Sequence, residues 1–455
     1  MPRLPTLTYD RGTLLLHPPP KGKAWVDHAE WDDRVEKFRL PADRYRPLVE
    51  ALAAEGTPLD DRARAFADLP LAFAGGLTPR PHQAEALAAW KAAGRRGTVI
   101  LPTGAGKTLV AQLALQATPR SALIVVPTLD LLHQWYAGLK AAFPGTEVGL
   151  LGGGSRDLGA PLLVSTYVSA AAEAENLGNR YALLVFDEVH HLPSGFHRVI
   201  AEYSIAPYRL GLTATPDRAD GRDRDLAALV GPVVYERRPE ELAGGALAPF
   251  DLVRRRVSLS ERERTRYEEL LARRNAFLVA RKIFLGSLDG WRRFVRASAT
   301  SPAGRAAMLA HREAKLLAFG TEEKFRVLEE VLTRHAGQRT LIFTDDTATV
   351  YRVADEFLLP AITHQTAVKE RHETLALFRA GTYPVIVSSR VLNEGVDVPE
   401  ASVAVVLSGT GTPREHIQRL GRILRPAVGK RAVLYEVIAE GTSEEGVAKR
   451  RRGRG

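Results

Sequence analysis

The chain has 455 residues, a formal net charge of +10 and no cysteine. That length fits about three domains. The missing thiols exclude disulfides, Cys-ligated zinc, iron–sulfur clusters and cysteine nucleophiles, and they fit a reducing cytoplasm; no apolar run is long enough to span a bilayer, and the proline-rich, charged start does not read as a signal peptide.

Taken in chain order, residues 1–75 read as a small α+β domain. LTYDRGTLLLH predicts a strand, a turn and a strand, and DRYRPLVEALAAEG predicts an amphipathic helix stopped by glycine. From 76 to 245, short apolar runs alternate with helical patterns: TVILP, SALIVVP, PLLVSTY, YALLVFDE and YRLGLTAT. Such alternation predicts a parallel α/β sheet with its ligands at the carboxyl ends of the strands. Residues 246–320 show no strand signal and read as basic helices. From 321 to 455 the alternation returns in TLIFTDD, AITHQ, YPVIVSS, ASVAVVLS and AVLYEVI. The basic excess is local. Residues 251–320 carry 16 Lys/Arg against 7 Asp/Glu, and the last ten residues, GVAKRRRGRG, add five cations. This pattern fits an electrostatic footprint on a nucleic acid as well as it fits a solubilising surface.

LPTGAGKTLV follows a predicted strand and opens a predicted helix, the context of a phosphate-binding loop. Gly104 and Gly106 let the backbone turn so that the N–H groups of the loop, Ala105 included, face phosphate oxygens, with a helix N-terminus behind them. Lys107 would reach the β/γ-phosphates and Thr108 would ligate Mg²⁺. Leu101 stands where the strict pattern has glycine. VFDEVHH then brings Asp187 and Glu188 to a strand end. One carboxylate suits the metal (Asp187) and the other suits a water-orienting base (Glu188), while His190 could couple the site to a neighbouring domain. In QRLGRILRP a helical pattern places Arg422 and Arg425 on one face. Guanidinium groups suit phosphate, and an arginine against the γ-phosphate stabilises transferring charge. These residues reach a nucleotide held by Lys107 only if the two α/β domains face each other across a cleft.

The ordered set TGAGKT, DEVH, TAT and QRLGR resembles the superfamily 2 helicases, whose cores are two RecA-like domains. Gln83 in RPHQ resembles that family's adenine-reading glutamine. Thr128 in PTLDLLHQW and Thr166 in VSTY resemble residues that grip the nucleic-acid backbone. Thr213 and Thr215 in LTAT resemble the segment linking hydrolysis to movement, and Gly395 and Asp397 in NEGVDVP resemble a motif contacting both ligands. Gln418, Arg422 and Arg425 resemble the family's catalytic QRLGR set. Within the superfamily the chain is similar to the XPB-type DNA helicases, in their compact archaeal and bacterial form. The stretch from PAITHQT through HIQRLGRILRP resembles their second domain, 246–320 their helical thumb, and residues 1–75 their damage-recognition domain. Their Arg-Glu-Asp element after TAT reads Arg218-Ala219-Asp220 here, with the central acid replaced.

The resemblance implies an α/β protein with two RecA-like domains, a thumb and a small N-terminal domain. It implies a DNA-dependent ATPase using ATP and Mg²⁺ to unwind or translocate on DNA 3′→5′ in repair or transcription-linked remodelling. The implied setting is cytoplasmic, nucleoid-associated in a prokaryote, with DNA and a nuclease or repair protein as partners and no membrane. In the thumb, Trp291, Arg292 and Arg293 are candidate DNA contacts, next to Phe284 and Phe294. Three alternatives stay open: a duplex translocase that does not separate strands, an RNA helicase, and an ATP-gated DNA-binding scaffold.

Overall fold

A computed structural model describes residues 4–20, 25–26, 29–74, 76, 78–214, 223–242, 250–286, 288–389, 401–408 and 432–446. It divides into two compact units, Met1–Leu242 and Ala243–Gly455.

The first unit begins with strands β1 (Thr6–Asp10), β2 (Thr13–His17), β3 (Glu30–Asp32), β4 (Lys37–Pro41) and β5 (Asp60–Asp61), in sheet order β3-β4-β2-β1-β5. β1 and β2 form the expected hairpin, its turn carried by Arg11 and Gly12 at positive φ. The helix Tyr45–Ala54 buries Tyr45, Leu48 and Leu52 against this sheet. The small domain is docked on the α/β domain of the same unit. Ile205 completes its apolar cluster, the Tyr9 hydroxyl donates to the Tyr203 carbonyl at 3.0 Å, and Arg46 donates to the Gly94 carbonyl at 2.7 Å.

The α/β domain holds β6 (Arg96–Ile100), β7 (Ala122–Val126), β8 (Val148–Gly152), β9 (Ser155–Arg156), β10 (Leu162–Thr166), β11 (Leu183–Asp187), β12 (Tyr208–Thr213) and β13 (Val233–Glu236). Their order is β13-β6-β12-β11-β7-β10-β8-β9. The strands are parallel except for the β8–β9 hairpin. Strands β7, β10 and β11 are buried throughout, as continuous apolar runs covered on both faces must be. The five expected strands are all present; β8, β9 and β13 lack such long apolar runs and so carry no comparable signal in the sequence. β12 lies between β6 and β11, so the strand ending in Thr213 separates the strand feeding TGAGKT from the strand ending in Asp187.

The second unit carries β14 (Phe250–Val257), β15 (Thr340–Phe343), β16 (Ala361–Ile362), β17 (Val385–Ser388), β18 (Val403–Val406) and β19 (Ala432–Ala439), all parallel, in the order β14-β19-β18-β15-β17-β16. β14 corrects the expectation that 246–320 is wholly helical. FDLVRRRV hides a strand because three arginines interrupt its apolar residues, yet the residues alternate in exposure along an edge. Its cations are also less available than the charge count implied. Arg254 pairs with Glu436, Arg255 with Glu330 and Arg256 with Glu440. Three helices follow β14: Glu261–Ala280, Leu288–Thr300 and Pro302–Phe319. Serines start two of them: Ser260 in a capping box with Glu263, and Ser301 accepting from the Gly304 N–H.

Among the described residues, one cation in each unit lies fully inside. Arg209 donates to the Ala201 and Ser204 carbonyls at 2.9 and 3.0 Å, and burial pushes its guanidinium down to about 9. Lys324 donates to the Leu407 carbonyl at 2.5 Å and to Glu444 at 2.6 Å, both side chains being out of solvent. Lys324→Met is therefore expected to destabilise the second unit by roughly 3–5 kcal/mol, since it strands a buried carboxylate. Adding Glu444→Gln should recover part of that loss. Denaturant unfolding of the two variants checks both statements.

Candidate active site

The loop after β6 explains the departure at Leu101. Its N–H donates to the Thr213 carbonyl at 3.0 Å and its side chain is buried, so this position extends the strand into the sheet. The turn itself is made at Gly104 (φ +87°) and Gly106 (φ +85°), and Gly106 caps the helix Lys107–Ala117. Both positions need glycine, because a left-handed backbone is costly with a side chain. Thr108 is exposed in the first turn of that helix.

His82 and Gln83 support the loop from behind. A ring nitrogen of His82, Nε2, lies 2.9 Å from the Ala105 carbonyl, and the Gln83 amide donates to the same oxygen at 3.0 Å. The Gln83 amide oxygen accepts from the Arg80 N–H at 2.9 Å, closing a cap on the helix Pro81–Ala92. In this arrangement the Gln83 amide is buried, engages both ends and props the loop. His82, adjacent in RPHQ, is a second prop that the motif alone does not single out.

At the carboxyl end of the sheet four side chains converge. Lys107 Nζ donates to the Leu101 carbonyl at 3.3 Å and lies 3.7 Å from the Glu188 carboxylate. The Thr213 hydroxyl donates to Glu188 Oε2 at 3.4 Å, and His190 Nδ1 lies 3.2 Å from Thr213 Oγ1 and 3.5 Å from Glu188. Glu188 adopts φ +47°, ψ +56°, a left-handed conformation rare for a residue with a side chain. Motif residues far apart in sequence (Lys107, Glu188, His190 and Thr213) thus share one cluster.

Asp187 is buried beside them. Its Oδ2 accepts from the Trp135 indole N–H at 2.8 Å and its Oδ1 from the Glu188 N–H at 3.0 Å. Burial, followed by the neighbouring Glu188 charge, pushes its carboxyl up to about 6, while Lys107 pulls it back. Among the described residues no group of three or more metal-binding side chains forms. An exposed threonine hydroxyl and one charge-starved carboxylate nonetheless suit Mg²⁺, which takes one or two protein oxygens and fills the rest with phosphate and water.

Thr128 and Thr166 stand at the ends of β7 and β10. Each caps a helix, accepting from the Leu131 N–H at 3.3 Å and the Ser169 N–H at 3.2 Å. Between them runs Gly152-Gly153-Gly154, all at positive φ, where a Cβ on Gly152 would press on Thr166 and one on Gly153 on Leu129. GGGS is the sequence signal for this loop. Trp135 and Tyr167, in the same two segments, carry no such signal; their hydrogen bonds to Asp187 cross to another strand.

In the second unit, Arg292 and Arg293 are exposed, and Trp291 is 41% exposed with its ring 5.6 Å from His311 and 5.9 Å from Phe294. Phe294 is fully buried in a cluster with Leu278 and Ala307, whereas Phe284 is 76% exposed. Thr215, Arg218, Asp220, Gly395, Asp397, Gln418, Arg422, Arg425 and the basic tail lie outside the described residues.

Three family models match the chain. The "Xeroderma pigmentosum group B helicase damage recognition domain" covers residues 7–63, the "Type III restriction enzyme, res subunit" 76–218, and the "Helicase conserved C-terminal domain" 323–427. The DNA 3′-5′ translocase XPB2 of Sulfurisphaera tokodaii is 39% identical over 98% of this chain and 99% of its own length. The DNA 3′-5′ helicase XPB of Kineococcus radiotolerans is 31% identical over 83% of this chain and 62% of its own length. That of Mycobacterium tuberculosis is 29% identical over 94% and 69%. Among solved structures, the Hef helicase domain of Pyrococcus furiosus matches with a TM-score of 0.53 at 20% identity, over 83% of this chain and 98% of that one, a likeness of fold.

Proposed function

Because this chain belongs to the XPB family of DNA 3′-5′ helicases and translocases, we propose that it is a DNA-dependent ATPase that converts hydrolysis at the Lys107–Glu188–Thr213 cluster into 3′→5′ movement on DNA. The observation carrying this reading is the cluster itself. A lysine on a phosphate-loop helix and the threonine of the TAT segment both lie within 3.7 Å of a carboxylate base.

The chemistry follows from these positions. The loop N–H groups and Lys107 bind the phosphates. Thr108 and Asp187 would hold Mg²⁺, which would supply positive charge beside the phosphates. Glu188 orients the attacking water and takes its proton. Thr213, the first residue of the TAT segment, and His190 lie around that carboxylate and sense its change of charge. By the motif resemblance, Arg422 and Arg425 are the residues that would supply transition-state charge. The same resemblance gives Gly395, Asp397 and Gln418 nucleotide roles and gives Thr128 and Thr166 the DNA backbone.

Phosphate release measured without nucleic acid and with single-stranded, duplex and forked DNA tests the reading; an ATPase indifferent to all three overturns it. RNA of the same sequence is the control, since the 2′-hydroxyl is the physical difference. A second reading, movement on duplex without strand separation, is favoured by Ala219 in place of the central acid and accords with the name translocase borne by the 39% identical relative. Triplex displacement without strand displacement would establish it.

The thumb supplies the grip in this scheme. Arg292→Ala with Arg293→Ala is expected to weaken DNA binding and to reduce the salt slope by up to about two, at roughly 0.9 for each phosphate no longer neutralised. ATPase without DNA should be unaltered. Fluorescence anisotropy across a salt series checks this. A parental slope would shift the grip to the basic tail.

A further inference from the structure

The Asp187–Glu188 turn is held from behind by donors on two other segments. Trp135 is buried on the helix Leu129–Ala142 and donates its indole N–H to Asp187 Oδ2 at 2.8 Å. It lies seven residues after Thr128, the cap of that helix. Seven residues make nearly two turns, about 10.5 Å, and return to the same face. Tyr167 directly follows Thr166, the cap at the end of β10. Its hydroxyl donates to the Asp187 carbonyl at 3.0 Å and lies 3.5 Å from the Glu188 carbonyl. Burial pushes its phenol well above the usual range, which keeps it a donor.

Both side chains are about 2% exposed. Neither offers surface to DNA, so the donors serve the turn. Glu188 in turn sits at a left-handed φ of +47°, a conformation that persists only where surroundings impose it. One residue, Asp187, is therefore gripped twice: its side chain by the segment bearing Thr128, its carbonyl by the segment bearing Thr166. A shift of either segment would pull on Asp187 and on the peptide it shares with Glu188, whose carboxylate faces Lys107 and Thr213.

We propose that Trp135 and Tyr167 are positioning residues that carry engagement of DNA at Thr128 and Thr166 to the Asp187–Glu188 turn, and so make hydrolysis depend on DNA. The linkage rests on the function proposed above for those two threonines. Both segments hold one strained turn, and coupling requires that turn to have a second arrangement which either segment biases.

Trp135→Phe removes the N–H but keeps an aromatic ring; Tyr167→Phe removes a single oxygen. For each, turnover is measured without DNA and at saturating duplex, duplex affinity is measured with a non-hydrolysable ATP analogue, and a thermal melt checks folding. The expected result is a ratio of stimulated to unstimulated turnover reduced at least about fivefold, within the usual range of coupling between sites, with parental DNA affinity. Equal loss of both rates, an unaltered ratio, or DNA affinity falling in step with stimulation overturns the linkage. If Trp135→Phe melts early, Tyr167→Phe alone decides. A parent enzyme not stimulated by DNA overturns the proposed function and the linkage with it, whereas a stimulated parent beside an unaltered ratio overturns only the linkage.

Discussion

Glu188→Gln is expected to bind ATP about as well as the parent and to hydrolyse it roughly 10²–10⁴ times more slowly, the usual contribution of a positioned general base. The side chains match in volume, so the left-handed turn and the contact with Thr213 can persist. What changes is proton affinity and charge. An amide oxygen cannot take the proton of the attacking water, and Lys107, 3.7 Å away, loses its anionic neighbour. That freed lysine should leave nucleotide binding intact or tighter. Steady-state phosphate release and equilibrium binding of a fluorescent nucleotide separate the two effects. Parental turnover in Glu188→Gln would remove Glu188 from the chemistry and, with it, the reading of the cluster.

Arg422→Ala is expected to lower turnover at saturating ATP by roughly 10³–10⁵, as loss of an arginine finger does. The stabilised charge builds up only in the transition state, so ATP binding should change far less than the rate. The expectation is carried by QRLGR in the sequence, since Arg422 lies outside the described residues. Single-turnover kinetics at several ATP concentrations distinguish the outcomes. A variant altered in ATP affinity alone would return Arg422 to ordinary surface charge. Arg422→Lys sharpens the comparison, because an ammonium restores charge without the planar fork.

The nucleotide motifs were legible because their requirements are local. Gly104 and Gly106 must be glycine to adopt φ of +87° and +85°, and Lys107 and Thr108 follow at fixed offsets on the next helix. Asp187 ends a run of buried apolar residues, and such a run reads as a strand whatever surrounds it. Local pattern also had its failures. The arginines of Phe250–Val257 concealed an edge strand, because edge positions tolerate charge when partners such as Glu436 and Glu330 stand opposite. Phe284 and Phe294 looked equivalent beside Trp291, yet one is exposed and the other is core. Phe284 lies in the loop between two helices, whereas Phe294 lies on the helix Leu288–Thr300 against the side chains of its neighbours, a difference that spacing does not show.

By itself, the sequence determined the parallel α/β class, the phosphate loop, the acidic strand end and the family resemblance, since each is written in consecutive residues or short spacings. Tertiary structure decided which side chains meet. Trp135 reaches Asp187 across 52 residues, Thr213 reaches Glu188 across 25, Arg254 reaches Glu436 across 182 and Lys324 reaches Glu444 across 120. It also decided that Gln83 props the phosphate loop. Such contacts follow from strand order: β12 lies between β6 and β11, and β7 lies on the far side of β11. The apolar runs of parallel strands are interchangeable as patterns, so their order is fixed only when the connecting helices pack and the sheet closes around one buried core.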